Sequence, residues 1–451
     1  MDATLSEEDK ATAFVEKLTG GRVVKMKRLS RWRPAWFVDV ERDDQPLLKL
    51  HLRGDRRSDV LPFPSLQREA DILTVLEAGG VPVPHVYGMC PDPLAIVMEA
   101  VPGVRAMSGP SDDQRIIAEE HMALLARMHQ LDPATFAAIG LDLPGTPTEI
   151  GLGMLDAYMP LYARTKAAPE PLIEFAIAWA RRNVPKNRTR ASFVHWDAGQ
   201  FLHENGKITA LYDFETCLIG DPLMDLAALR LRHPAEPLGA ELTELFRHYQ
   251  EVTGEPIDVA ALRFHTVVFA LVGVMALAGP MVEPQAGSPH LEYLWWDLMQ
   301  RRALVWALSE CLGVPVNMPQ APSSGKPMTP SRIEPMIRML TDALDQFPPA
   351  TGLGRYQQHA TGLLAQCLLQ TEVVGPELDA ATCAEYEAIL GVRVGGVGEA
   401  QALMETFVLQ AGPESDVGLI HCFARQVERM VFSLEPVADR VTGYALAPVK
   451  L

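Results

Sequence analysis

Residues 193–230 read FVHWDAGQFLHENGKITALYDFETCLIGDPLMDLAALR, and this stretch decides the fold. Apolar Phe193-Val194 leads into His195-Trp196-Asp197 and a turn at Ala198-Gly199-Gln200. Asn205-Gly206 then lies between two apolar runs, the strongest short-range signal for a β-hairpin with a two-residue turn. The second run, residues 208–212, delivers Asp213-Phe214-Glu215. Asp197 and Asp213 are therefore expected beside the two ends of one small hairpin. That arrangement suits phosphoryl transfer, in which one carboxylate orients a hydroxyl while another, with an amide oxygen, holds magnesium on nucleotide phosphates.

The stretch resembles the catalytic and metal-binding core of the aminoglycoside phosphotransferase and choline kinase-like superfamily, which is similar to protein kinases in fold. The resemblance rests on His195-x-Asp197, on Asp213 opening a DFG-like triplet, and on Gly220-Asp221-Pro222 followed by Asp225. It implies an α+β fold with a small antiparallel sheet lobe and a mainly helical large lobe. It also implies ATP and Mg2+ as cofactors and a small molecule bearing a hydroxyl as acceptor. On the same grounds Asp197 is the catalytic residue that accepts or positions the hydroxyl, Asp213 binds magnesium, and His195 braces the loop. Where the family has Asn five positions after its first Asp, this chain has Gln200 three positions after Asp197, and Gln200 takes the second metal contact. Glu215 could reach a second metal. The pattern is closest to the hydroxyacyl-CoA kinase-like branch. An aminoglycoside or macrolide phosphotransferase stays open as an alternative, as does a catalytically weak nucleotide-binding scaffold acting through its C-terminal helices.

Upstream, residues 7–18 pattern as an amphipathic helix, and 23–29, 36–41 and 47–52 alternate as strands. Lys49 lies in the third of these, where a lone ammonium needs an anionic partner. The resemblance gives Lys49 the α- and β-phosphates and makes Glu69, on a helix expected over 65–78, the carboxylate that orients it. The glycine-free turn at 30–35 reads as a solvated basic turn, and Arg53, Arg56 and Arg57 as a solvated charge run. Residues 96–99 enter the hinge, where Glu99, Ala100 and Val101 would offer backbone groups to adenine. In the large lobe a helix is expected over 111–131, with His129 buried and hydrogen-bonded at its end. Residues 140–166 read as irregular, and 170–183 as helical. Asp221 and Asp225 read as loop anchors, and Cys217 as inert.

The divisions expected are an N-lobe over 1–101, a C-lobe over 102–316 carrying the catalytic and acceptor sites, a Pro/Ser-rich linker over 317–335 and an all-α bundle over 336–451. Helical periods recur near 336–347, 354–371, 379–390, 398–411 and 415–434. The bundle carries no motif with chemistry, which leaves homo-oligomerisation or docking of a partner as its role. A length of 451 residues suits two or three domains. The net charge of −17 argues against nucleic acid as a partner. Six scattered cysteines indicate neither a zinc site nor a disulfide framework. The first residues carry no secretory pattern, and the longest apolar run, 267–279, falls short of a bilayer span. A cytoplasmic protein with no membrane association is the expectation.

Overall fold

In the computed structural model, residues 6–31, 33–56, 60–107, 111–284, 288–316, 333–346, 349 and 351–451 are described. Their contacts divide the chain into two compact units, Met1–Gly153 with Arg188–Ile257 and Val449–Leu451, and Met154–Asn187 with Asp258–Pro448.

The first unit opens on helix α1 (Glu7–Thr19), whose start is a capping box: Ser6 Oγ accepts from Asp9 N–H at 3.1 Å, and the Asp9 carboxylate accepts from Ser6 N–H at 3.2 Å. Strands β1 (Arg22–Arg28), β2 (Ala35–Glu41) and β3 (Leu48–Gly54) follow, then helix α2 (Leu66–Ala78) and strands β4 (Val86–Pro91) and β5 (Leu94–Glu99). They form one antiparallel sheet in the order β1-β2-β3-β5-β4. Alternation decides which side is core: Trp36, Val38, Val40, Leu48, Leu50, Leu52, Ala95 and Val97 pack with Ala11 and Val15 of α1. Residues of opposite parity, Phe37, Lys49, His51 and Arg53, fall on the other face. This is the antiparallel sheet lobe anticipated from the sequence.

Helices α3 (Asp112–Met128) and α4 (Pro133–Ala137) come next, followed by α5 (Pro147–Thr165) and α6 (Pro171–Asn183). Residues 140–166, expected to be irregular, thus hold a 19-residue helix with Pro160 inside it. A proline removes one backbone donor, but Leu155, Tyr158, Leu161 and Tyr162 around it are buried, and that burial outweighs the lost bond. Four short strands then form two ladders: β6 (Ser192–Val194) pairs with β9 (Leu218–Gly220), and β7 (Phe201–Glu204) with β8 (Lys207–Leu211). Asn205 and Gly206 connect β7 to β8 with φ of 52° and 76°, the two positive angles a tight hairpin turn requires. Helices α7 (Leu223–Arg232) and α8 (Leu242–Thr253) complete the unit.

The second unit is helical, adding α9 (Val259–Val282), α10 (His290–Leu312), α11 (Ile333–Asp345), α12 (Gly352–Leu390), α13 (Val397–Gln410), α14 (Asp416–Ser433) and α15 (Glu435–Thr442) to α6 and most of α5. Residues 317–332 of the expected linker lie outside the described residues. Helix α12 runs unbroken for 39 residues through Pro376, where two helices were expected. The last helices share apolar cover with earlier ones: Phe423 of α14 meets Phe175 of α6 at a centroid distance of 5.7 Å, and α13 also packs on α6. Helix α9 is long and apolar enough to cross a membrane, which the shorter run counted from sequence concealed. Most of it is buried among its neighbours in this unit, the environment of a core helix.

Ion pairs of different depth hold these helices. Arg301 of α10 is 6% exposed; it bonds Asp297 at 2.8 Å and takes Glu170 with both terminal nitrogens at 2.9 Å. Arg181 and Asp156 pair at 2.8 Å but stay about half exposed. Arg301→Ala strands the buried Asp297 carboxylate and the partly buried Glu170 and is expected to cost roughly 3–5 kcal/mol in chemical denaturation. Arg181→Ala is expected to change stability by less than about 1 kcal/mol.

Candidate active site

The paired ladders set the frame of the site. The Asp197 loop runs between β6 and β7, the Asp213 loop between β8 and β9, and Tyr212 N–H closes the hairpin base on the Gln200 carbonyl at 3.1 Å. Sequence reading found the β7–β8 pairing and missed β9. Both loops are bent into the left-handed region, Trp196 with φ of 69° and Asp213 with 71°. For non-glycine residues this costs about 1–2 kcal/mol each, so the surroundings must impose it. Asp225 of α7, fully buried, accepts His195 N–H at 3.1 Å and Trp196 N–H at 2.7 Å. His129 supports that carboxylate, its Nε2 lying 2.9 Å away and its Nδ1 2.7 Å from the Tyr249 hydroxyl. The His195 ring stacks on Phe214 at 4.3 Å and donates from Nε2 to the Asp213 carbonyl at 3.1 Å. Asp221 accepts from Arg188 at 2.8 and 2.9 Å and from Leu223 N–H at 3.0 Å. Cys217 is buried beside this network, and burial pushes its thiol up.

On the sheet side the charges differ from expectation. Lys49 is exposed, and Glu69, itself 2% exposed, meets Arg53 Nε at 3.1 Å instead. The Lys49–Glu69 pairing is thus replaced by Arg53–Glu69. Both cations share one face of β3, but four residues of strand span about 13 Å, and α2 presents Glu69 at the Gly54 end. Arg53 also donates to Asp213 and lies 3.4 Å from Glu215. Arg33 bonds Glu215 at 2.6 Å and the Gly54 carbonyl at 2.8 Å, and Arg56 donates to the other Glu215 oxygen. Gly54 must be glycine here, because a Cβ would come within 2.6 Å of the Pro34 carbonyl.

The turn and charge run read as solvated therefore contribute Arg33, Arg53 and Arg56 to a largely buried cluster with Glu69, Asp213 and Glu215; Trp32 and Arg57 lie outside the described residues. Ion pairing with Arg33, Arg53 and Arg56 engages Glu215, the residue that could reach a second metal. Burial acts to raise Asp213, but Arg53 first, then Arg33 and Arg56, hold it well below the usual carboxylate range. Burial likewise opposes the charge of Arg53, and Asp213, Glu69 and Glu215 outweigh it.

At the other hairpin end, Asp197 accepts from Gln200 Nε2 at 2.8 Å and from Arg232, the last residue of α7. The same Gln200 nitrogen lies 3.2 Å from Asp213 Oδ2, so one amide spans both aspartates. Arg232 was absent from the sequence reading. The available signal was Gly199: with φ of 96°, its missing Cβ would lie 2.7 Å from Arg232 Cδ. Behind Arg232, Glu236 accepts at 2.6 Å and is held in turn by Arg105 at 2.7 and 2.8 Å. At the hinge, Glu99 N–H is taken by the His85 carbonyl at 2.8 Å and Ala100 N–H by that of Lys49 at 3.0 Å. Val101 follows them as the next backbone donor.

Gln200 Oε1 is buried and has no hydrogen-bond partner among the described residues. An orphaned carbonyl oxygen next to an aspartate fits magnesium, which takes few protein oxygens and fills its remaining positions with phosphate and water. Asp213 and Gln200 are the residues that would hold it. Among the described residues, no group of three or more His, Cys, Asp or Glu is arranged to bind a metal.

A family model described as the phosphotransferase enzyme family matches residues 27–265. Of curated proteins, acyl-CoA dehydrogenase family member 10 of Mus musculus is 28% identical over 195 residues, covering 40% of this chain and 18% of that protein. Member 11 of Rattus norvegicus is 28% identical over 206 residues, covering 43% and 26%. The chain therefore spans well under a third of either relative. Of solved structures, a Ralstonia eutropha JMP134 protein assigned as an aminoglycoside phosphotransferase is 20% identical, with a TM-score of 0.50, and covers 66% of this chain and 98% of its own. That likeness shows the fold.

Asp225→Ala would leave two buried N–H groups and His129 without their acceptor. A loss of roughly 3–5 kcal/mol is expected in denaturant titrations, with the loop amides of residues 195 and 196 losing hydrogen-exchange protection first.

Proposed function

The chain belongs to the phosphotransferase enzyme family, and from that premise we propose that it transfers the γ-phosphoryl group of ATP, with Mg2+, to a hydroxyl of a small metabolite. The observation that carries this reading is the single amide of Gln200 spanning Asp197 and Asp213 at 2.8 and 3.2 Å. It supports a reading in which Asp197 serves the acceptor and Asp213 the metal, at the two ends of one hairpin.

In the proposed step, the acceptor oxygen bonds to the γ-phosphorus as the bond to the bridging β–γ oxygen breaks. ADP leaves, and the hydroxyl proton passes to Asp197. Such transition states are loose, so orientation of the hydroxyl by Asp197 matters more than proton removal. Magnesium, when bound, neutralises charge on the β- and γ-phosphates. Arg53, held on β3 and paired with Glu69, is the cation proposed to meet those phosphates, the role first given to Lys49. Arg suits it because its fork engages several oxygens together. The Val101 N–H is the proposed donor to the nucleobase.

For the acceptor, a hydroxyacyl metabolite such as a hydroxyacyl-CoA is proposed; similarity to two acyl-CoA dehydrogenase family members supports it. Labelled phosphate transfer from ATP to hydroxyacyl-CoAs, simple alcohols and antibiotics tests the reading. Asp197→Asn is expected to lower kcat about 1000-fold or more while Mg-ADP still binds, since it removes an interaction made in the chemical step. Nucleotide binding with no turnover by the unmodified chain favours a scaffold. Arg53→Met is expected to raise the KM for ATP by roughly 100-fold, and Lys49→Met by less than about threefold. The reverse order would return the phosphate contact to Lys49.

A further inference from the structure

The turn that joins β1 to β2 contains no glycine and closes on itself. Leu29 N–H donates to the Ala35 carbonyl at 2.9 Å and Arg31 N–H to the Leu29 carbonyl at 2.9 Å, while Pro34 has no N–H to give. A glycine-rich cover grips phosphate with backbone amides. Here the amides of Leu29 and Arg31 are engaged, so a phosphate would meet side chains. The turn is tied down at the end of β3 that carries Arg53. Gly54 N–H donates to the Pro34 carbonyl at 2.8 Å, and Arg33 Nε donates to the Gly54 carbonyl at 2.8 Å.

The two arginines of the turn differ in their partners. Arg33 is buried and paired with Glu215. Arg31 is partly buried, and its guanidinium has no hydrogen bond or ion pair among the described residues. The charges that act on it most strongly are Arg53, Asp213, Arg33 and Arg56, three of its own sign against one. Burial and then Arg53 work against its charge, and Asp213 does not make up the difference, so the guanidinium is held below its ordinary range. The carboxylates of the cluster are already taken: Glu69 and Asp213 pair with Arg53, and Glu215 with Arg33 and Arg56. Arg31 also acts on His51, two residues before Arg53 on β3. Burial first, then Arg53, Arg31 and Arg33, push that imidazole down to about 3. A guanidinium drawn out of water among like charges destabilises the protein that holds it, and an arriving anion relieves the deficit.

We infer that Arg31 binds the phosphate chain of the nucleotide, and that the glycine-free turn holds this guanidinium unpaired for that role in place of backbone amides. The inference rests on the kinase reading and adds a residue to it. Arg53 is engaged by carboxylates before any nucleotide arrives, whereas a phosphate gains Arg31 without breaking an ion pair. Arg31 therefore stabilises the bound nucleotide and destabilises the empty protein.

Those opposite signs set the test. With full-length chain, calorimetric competition gives the affinities for Mg-ATP and AMP, and thermal unfolding gives the Tm of the ligand-free protein. Arg31→Gln is expected to weaken Mg-ATP about 30-fold and AMP less than about threefold. The same substitution is expected to raise the ligand-free Tm by about 1–3 °C, because it removes an uncompensated charge. Arg31→Lys is expected to fall between for Mg-ATP, since it keeps the charge without the fork. Lys25→Gln, at an exposed lysine of β1, changes the net charge equally and is expected to leave both affinities within about twofold. An AMP loss equal to that of Mg-ATP, a lowered Tm, or the same losses in Lys25→Gln overturns the inference. Mg-ATP affinity that stays within about threefold in Arg31→Gln also overturns it. Mg-ATP binding that depends on Arg31, with no transfer to any acceptor, upholds the inference and sinks the kinase reading. Absence of Mg-ATP binding by the unmodified chain overturns both.

Discussion

Arg53 is the tie on which the site depends. It leaves β3 and is drawn by Glu69 on the next helix and by Asp213 on the hairpin loop, with Glu215 3.4 Å away. A lysine could hardly serve, since a single ammonium cannot hold separate carboxylates with fixed, divergent donors. The cluster is deep enough that no single partner is dispensable: removing one charge leaves an opposite one buried without compensation. It also joins residues far apart in sequence, so the conformation of the Asp213 loop is set partly by the sheet.

The second constraint is backbone strain. Trp196 and Asp213 hold left-handed angles that neither would adopt alone, and each stands next to a functional candidate or is one. Asp225 grips the first loop through its amides; His195 links that loop to the second by bonding the Asp213 carbonyl. The histidine thereby transmits position from one aspartate loop to the other without touching either carboxylate. This gives physical content to the bracing role read from the motif.

What was legible in the sequence was local. Asn205-Gly206 dictates its own turn, and the turn fixes which residues stand at the hairpin's ends. Strand alternation likewise separated the two faces of the sheet. Lys49 and Arg53 have the same parity, however, so periodicity could not choose between them; the choice depends on where α2 delivers Glu69. Arg232 pairs across 35 residues with Asp197, and only Gly199 hinted at it. Arg33 looked solvated because a basic turn usually is, and its burial follows from Glu215, distant in sequence. Helices α5 and α12 were misjudged for a different reason: Pro160 and Pro376 signal a break locally, while tertiary packing around them sustains the helix.

The two ends of the hairpin share one electrostatic device. Asp213 is paired with Arg53 and Asp197 with Arg232, each carboxylate neutralised by a guanidinium that projects from a regular element. The pairing prevents two carboxylates, bridged by one amide, from repelling each other open in a chain of net charge −17. It also leaves lone pairs on both carboxylates, so that a ligand meets a neutralised pair and not a bare charge.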